Sequence, residues 1–214
     1  MLYRKMNKHT IAKNIQRILN ELYPAPAVPL SHHDSYTLLI AVLLSAHCTD
    51  ARVNKVTPIL FKKASTPQEM VKLSINEIES IIHSCGLGFR KATNIWELSN
   101  RLIKDYEGKV PASFEALESL PGVGHKTASV VMSQAFQEAA FPVDTHIHRC
   151  ARRWGLSNGK NVKQTEKDLK SLFPKKDWTR LHLQIIYFAR EHCQARSHQT
   201  PICPICSWIV ENPI

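Results

Sequence analysis

Apolar residues recur along this chain at helical rather than strand spacing. Ile11, Ile15, Ile18, Leu19 and Leu22 fall on one face with polar residues between them, which predicts an amphipathic surface helix. Pro24, Pro26 and Pro29 end it and mark the first candidate domain boundary. From Tyr36 to Ser45 the chain is apolar all round, the pattern of a helix buried at the centre of a bundle. Asp50 is placed to cap the next helix, with Val53, Val56 and Leu60 inward and a kink at Pro58. Thr66-Pro67-Gln68-Glu69 and Ser74-Ile75-Asn76-Glu77 read as two capping boxes, and Gly86 stops the second helix. Ala92, Ile95, Leu98, Leu102 and Ile103 mark another amphipathic helix ending before Gly108. Three more are predicted over Thr145 to Trp154, Val162 to Phe173 and Asp177 to His192. No run alternates strictly, so the fold class is all-α, without internal repeat or low-complexity tract.

The stretch from Ser113 to Arg149 carries the candidate chemistry. Ser113 caps a short helix through Ser119, and Pro121-Gly122 stops it, because proline cannot continue a helix and glycine takes the positive φ of a tight reversal. The hairpin Leu120-Pro121-Gly122-Val123-Gly124 leaves backbone amides at the start of the next helix, which opens at His125-Lys126-Thr127. Such a helix end receives phosphate. Lys126 falls in its first turn, where the positive end of the helix dipole favours the neutral, nucleophilic amine over the ammonium. Asp144 follows after a loop of ordinary length and is close enough in sequence to return to Lys126. The simpler reading of Asp144 is the N-cap of the helix from Thr145, and that of Gly122-Val123-Gly124 is a turn.

Size and charge bound the partners. The 214 residues suffice for one large domain or two small ones. A net charge of +10, from 28 Lys and Arg against 18 Asp and Glu, suits a polyanion. Six cysteines without a signal peptide point to a reducing interior and to metal ligation rather than disulfides. The longest apolar run, Leu38 to Leu44, is too short to cross a bilayer. A soluble, cytoplasmic protein with no membrane partner is expected.

Together, LPGVGHKTASVV and FPVDTHIHR resemble the helix–hairpin–helix DNA glycosylases, and specifically their endonuclease III branch. LLSAHCTDARVNKV at 43 to 56 and GLGFRKA around Leu87 match that branch in order and spacing. The resemblance implies two helical domains with a DNA-binding cleft between them. One is a helical barrel over 28 to 138 with the helix–hairpin–helix motif at about 113 to 136. The other joins 1 to 27 with 139 to 214. On that mapping Lys126 and Asp144 face one another across the cleft as catalytic residues, with Leu120, Gly122, Val123 and Gly124 at the phosphates. A lysine at the Lys126 position marks the family members that both release a base and cleave the strand. The substrate implied is double-stranded DNA with oxidised pyrimidines or abasic sites, engaged by a monomer.

The family fills the hole left by an extruded base from the loop matching Ser45-Ala46-His47-Cys48, usually with glutamine; here the residue is His47. Histidine stacks and donates one hydrogen bond but lacks an amide's paired donor and acceptor, which bears on opposite-base preference. Leu87 matches the family's apolar wedge, a device that unstacks a base step; alone it reads as a loop hydrophobe. Glu118 maps near the pocket and otherwise reads as a helix-surface charge. His146 and His148 lack a third ligand at metal spacing and read as hydrogen-bonding or solvated.

The resemblance also implies a 4Fe–4S cluster in a C-terminal loop of four cysteines. This tail offers Cys193, Cys203 and Cys206, with a longer first gap and with Asn212 at the fourth position. Cys48, Cys85 and Cys150 map elsewhere. A four-iron cluster takes four thiolates, so three outcomes stand: no metal, with the loop held by packing, which the shortfall favours; a cluster with a non-cysteine ligand; or zinc on the three cysteines plus His198 or His192.

Two alternatives to the bifunctional enzyme remain. A non-catalytic helix–hairpin–helix module that only grips phosphates leaves the pairing of Lys126 with Asp144 as coincidence. A lyase with weak base excision would follow from the His47 change.

Overall fold

The computed structural model describes residues 6–212, and these form helices and loops with no strand. Its α-helices are α1 (Lys8–Leu22), α2 (Ser35–Ser45), α3 (Asp50–Lys63), α4 (Pro67–Met70), α5 (Ile75–Ile82), α6 (Gly88–Tyr106), α7 (Phe114–Ser119), α8 (His125–Ala135), α9 (Thr145–Arg153), α10 (Val162–Leu172), α11 (Trp178–Glu191) and α12 (Pro204–Glu211). They divide between two compact units, one drawn from Met1–Ala27 and Ala139–Ile214, the other from Val28–Glu138.

The unit Val28–Glu138 is built around α2, whose residues Tyr36 to Leu44 are all buried against α3, α6 and α8. Its apolar surface has no solvent side, as the sequence pattern requires. Ser99 on α6 donates to Ile95 O (2.7 Å), which leaves the Tyr36 hydroxyl to donate to Ser99 Oγ (2.7 Å). The capping boxes of α4 and α5 form as the sequence predicts, and α2 has a third, from Asp34 with Thr37. Helix α3 is capped by Thr49 rather than Asp50: Thr49 Oγ1 accepts from Arg52 N (3.3 Å). Asp50 becomes the first helical residue, where a carboxylate meets the positive dipole end. The helix continues through Pro58. Helix α5 stops at Ile82, short of Gly86, because a 3-10 turn, His83–Cys85, takes up the intervening residues.

In the other unit α1 lays Ile11, Ile15 and Leu19 into a core with Ile147, Trp154, Leu169, Leu181 and Phe188. Leu22 lies off this stripe and is 41% exposed. Gln184 on α11 fastens the end of α1, its Nε2 donating to Leu19 O (3.3 Å), Asn20 Oδ1 (3.0 Å) and Tyr23 O (2.8 Å). A 3-10 turn, Lys175–Asp177, precedes α11, which therefore starts at Trp178. The last helix, α12, is absent from the sequence expectations. Pro204 hides it as a breaker, yet at the first helical position the missing N–H costs nothing.

Candidate active site and cysteine cluster

The hairpin lies in the unit Val28–Glu138. Ser113 caps α7 through Ala116 N (3.4 Å), and the bonds Leu120 N to Leu117 O (3.0 Å) and Val123 N to Leu120 O (3.1 Å) close the turn. Gly122 has φ of 76°, and a Cβ there would fall 2.8 Å from Asn94 Nδ2. Both the left-handed backbone and the close approach of α6 therefore require glycine. Leu120 and Val123 are 2% and 6% exposed, so these side chains anchor the hairpin and only their backbone is available to a ligand. No side chain caps α8, and Gly122, Gly124, His125 and Lys126 are exposed, a helix start of the kind that receives an anion. Glu118 Oε1 pairs with His125 Nδ1 (2.7 Å), and the Phe114 ring stacks on His125 at 6.0 Å, so α7 and α8 are clasped beside Lys126.

Asp144 belongs to the other unit. Its Oδ1 accepts from Ile147 N (2.9 Å) and caps α9. The preceding Phe141 and Val143 are buried, and Pro142 O accepts from His182 Nδ1 (2.8 Å). Asp144 is thus fixed on both sides, by the core before it and the helix after it. His146 contacts Arg149 and His148 Nδ1 contacts Thr165 Oγ1 (2.8 Å), hydrogen-bonding roles for both.

His47 and Leu87 share an unusual backbone. Their φ values are 55° and 53°, a left-handed conformation uncommon for side chains of this size. Both are exposed, Leu87 at 58%. What holds these two loops is Lys91, a residue to which the sequence reading gave no role. Its ammonium is buried and donates to Leu44 O (2.8 Å), Ala46 O (2.6 Å) and Cys85 O (2.9 Å). One side chain so ties the segment leading to His47 to the segment leading to Leu87. Burial pulls its pKa below the ordinary lysine value. Cys48 and Cys85 add a second tie, with burial and then the hydrogen bond to Cys48 raising the Cys85 thiol to about 11. The available signal was register: Lys91 stands on the inward stripe with Ile95, Leu98 and Leu102.

The tail cysteines converge. Cys193, His198, Cys203 and Cys206 place their ligand atoms within 4.8 Å of one another. Cys150, which the resemblance sets apart from the tail, reaches Cys193 from α9. Hydrogen bonds from Cys150, Cys203 and Cys206, with Arg153 beside them, hold Cys193 well below the ordinary thiol range. The implied 4Fe–4S cluster does not fit this donor set. Three thiolates converge with His198, whereas Cys150 meets Cys193 but stands outside that group, and Asn212 at the fourth position brings no sulfur and donates its amide to Trp208 O (2.8 Å). A four-iron cubane also interposes iron at each corner and spreads its ligands wider than one ion does. His192 takes no part; its ring packs on Phe188 at 5.1 Å.

Comparison with known proteins places this geometry. Residues 40–175 match the model of the HhH-GPD superfamily base excision DNA repair proteins. Endonuclease III of Bacillus subtilis (strain 168) is 42% identical over 190 residues, covering 88% of this chain and 87% of that protein. A non-covalent endonuclease III–DNA complex superposes with a TM-score of 0.90 at 42% identity, covering 94% of each chain. A trapped endonuclease III–DNA covalent intermediate does so with a TM-score of 0.89 at 42% identity, again over 94% of each. The chain belongs to the HhH-GPD superfamily of base excision DNA repair proteins, in its endonuclease III branch.

Proposed function

We propose that this protein is a bifunctional DNA glycosylase and abasic-site lyase that removes oxidised pyrimidines from duplex DNA and works as a monomer. The observation that carries the reading is an exposed lysine in the first turn of α8, directly after an uncapped helix–hairpin–helix turn. The likeness to an endonuclease III trapped covalently on DNA supports it.

The hairpin amides grip a backbone phosphate and hold the duplex in register. His47 and Leu87 enter the stack from their paired loops, and the damaged nucleotide leaves it at a cost of a few kcal/mol. An ordinary lysine amine is protonated near neutrality and attacks only after losing a proton. The Lys126 amine attacks C1′ as the bond from C1′ to the base breaks, and the base departs with the electron pair and is protonated. Asp144 takes the amine proton or stabilises the positive charge that develops on the sugar. Ring opening leaves a protonated imine. Loss of a C2′ proton then expels the 3′ phosphate by β-elimination, which breaks the strand on the 3′ side.

The test compares cleavage of a thymine-glycol duplex with cleavage of a preformed abasic duplex. Both are cut under this reading. Cleavage of the abasic duplex alone shows a lyase in which His47 has weakened base excision, and binding without cleavage of either leaves a phosphate-gripping module.

A further inference from the structure

We propose that Cys193, His198, Cys203 and Cys206 bind a single zinc ion in place of an iron–sulfur cluster. Cys203 and Cys206 form a Cys-x-x-Cys pair at the start of α12, Cys193 follows the end of α11, and the loop between brings His198 back to them. The three cysteines are buried. His198 supplies the observation that points to a ligand: its Nε2 is buried without a hydrogen-bond partner, an arrangement that needs an explanation. A metal ion provides one. The preceding residue, Ser197, has φ of 61°, a left-handed turn uncommon for a residue with a side chain; such strain concentrates at functional sites.

The spacing fits one ion. Zinc with bonds of about 2.0–2.3 Å holds tetrahedral ligand atoms about 3.3–3.8 Å apart, and these four already lie within 4.8 Å of one another. Three thiolates and one imidazole are a structural zinc set, and soft sulfur donors disfavour calcium or magnesium. Zinc with three thiolates carries one net negative charge, and the surroundings answer it. Arg153 Nη1 lies 3.3 Å from Cys193 Sγ and also donates to Gln194 O (2.7 Å), while Arg149 donates to Cys193 O (3.0 Å). Such outer contacts orient thiolate ligands and sustain their charge. Four protein ligands complete the tetrahedron and leave no place for substrate, so the ion is structural. It staples α12 to the end of α11, across a loop whose one large apolar residue, Ile202, is 73% exposed and contributes little packing.

The test is metal content, which does not depend on the enzymatic reading. The full chain, made in medium supplying both iron and zinc and purified without chelator, should hold one zinc and no acid-labile sulfide. Cobalt substitution should give the intense bands of a tetrahedral thiolate site. His198→Ala should weaken zinc binding, measured against a competing chelator, by more than about 100-fold, the upper range for disturbing only an outer shell. His198→Cys should retain the ion, and Cys150→Ser, which keeps a hydrogen-bond donor beside Cys193, should retain it with affinity lowered by less than about 100-fold. Iron with sulfide in the wild-type chain, absence of any stoichiometric metal, or loss of zinc on Cys150→Ser but not on His198→Ala would each overturn the proposal.

Discussion

Asp144 answers to two demands that can be separated by a single atom. Its Oδ1 caps α9, and the proposed chemistry needs a negative carboxylate. Asparagine caps a helix as well as aspartate does, whereas alanine loses about 1 kcal/mol. Asp144→Asn should therefore keep the melting temperature of the parent while losing most base release from a thymine-glycol duplex. Asp144→Ala should lose both. Full base release by Asp144→Asn would reduce this residue to a cap. The cap itself was legible in the sequence, because an aspartate before Thr145 and a periodic helix has few other local uses. Its anchoring by His182 through Pro142 O was not, since a main-chain acceptor leaves no trace in residue type.

Among elements, the loops bearing His47 and Leu87 depend on α6 through Lys91. Replacing this lysine by methionine removes the donor from three carbonyls at once. Buried groups left unpaired cost about 1–3 kcal/mol each, reduced where the loops relax toward water. Lys91→Met should lower stability by about 2–4 kcal/mol and, at a temperature where the chain stays folded, impair excision from intact duplex more than cleavage of a preformed abasic site. An equal loss on both substrates would contradict a role in base extrusion. The helices were legible where periodicity and side-chain caps agree, as at Thr66, Ser74 and Ser113. Lys91 escaped because its partners are carbonyls 47, 45 and 6 positions away in sequence. Helix α12 escaped because Pro204 reads as a breaker when its place in the helix is unknown. The sequence left the tail open among no metal, which the missing cysteine favours, a cluster with a non-cysteine ligand, and zinc with His198 or His192; only the folded loop brings His198 rather than His192 to the sulfurs.

At the scale of the whole molecule, each unit has its own apolar core and carries one of the two proposed catalytic residues. Lys126 stands on a hairpin pinned by Leu120, Val123 and the Glu118 to His125 pair; Asp144 stands on a cap pinned by Phe141 and Val143. The net charge of +10 favours a polyanion, and no described helix is long and apolar enough to cross a membrane. The account's central claim is that the Lys126 amine becomes covalently joined to the sugar. Borohydride reduction during reaction with an abasic duplex should give a stable protein–DNA adduct, mapped to Lys126 by peptide mass spectrometry and absent from Lys126→Gln. A trapped adduct in Lys126→Gln, or an adduct on another residue of the parent chain, would contradict it.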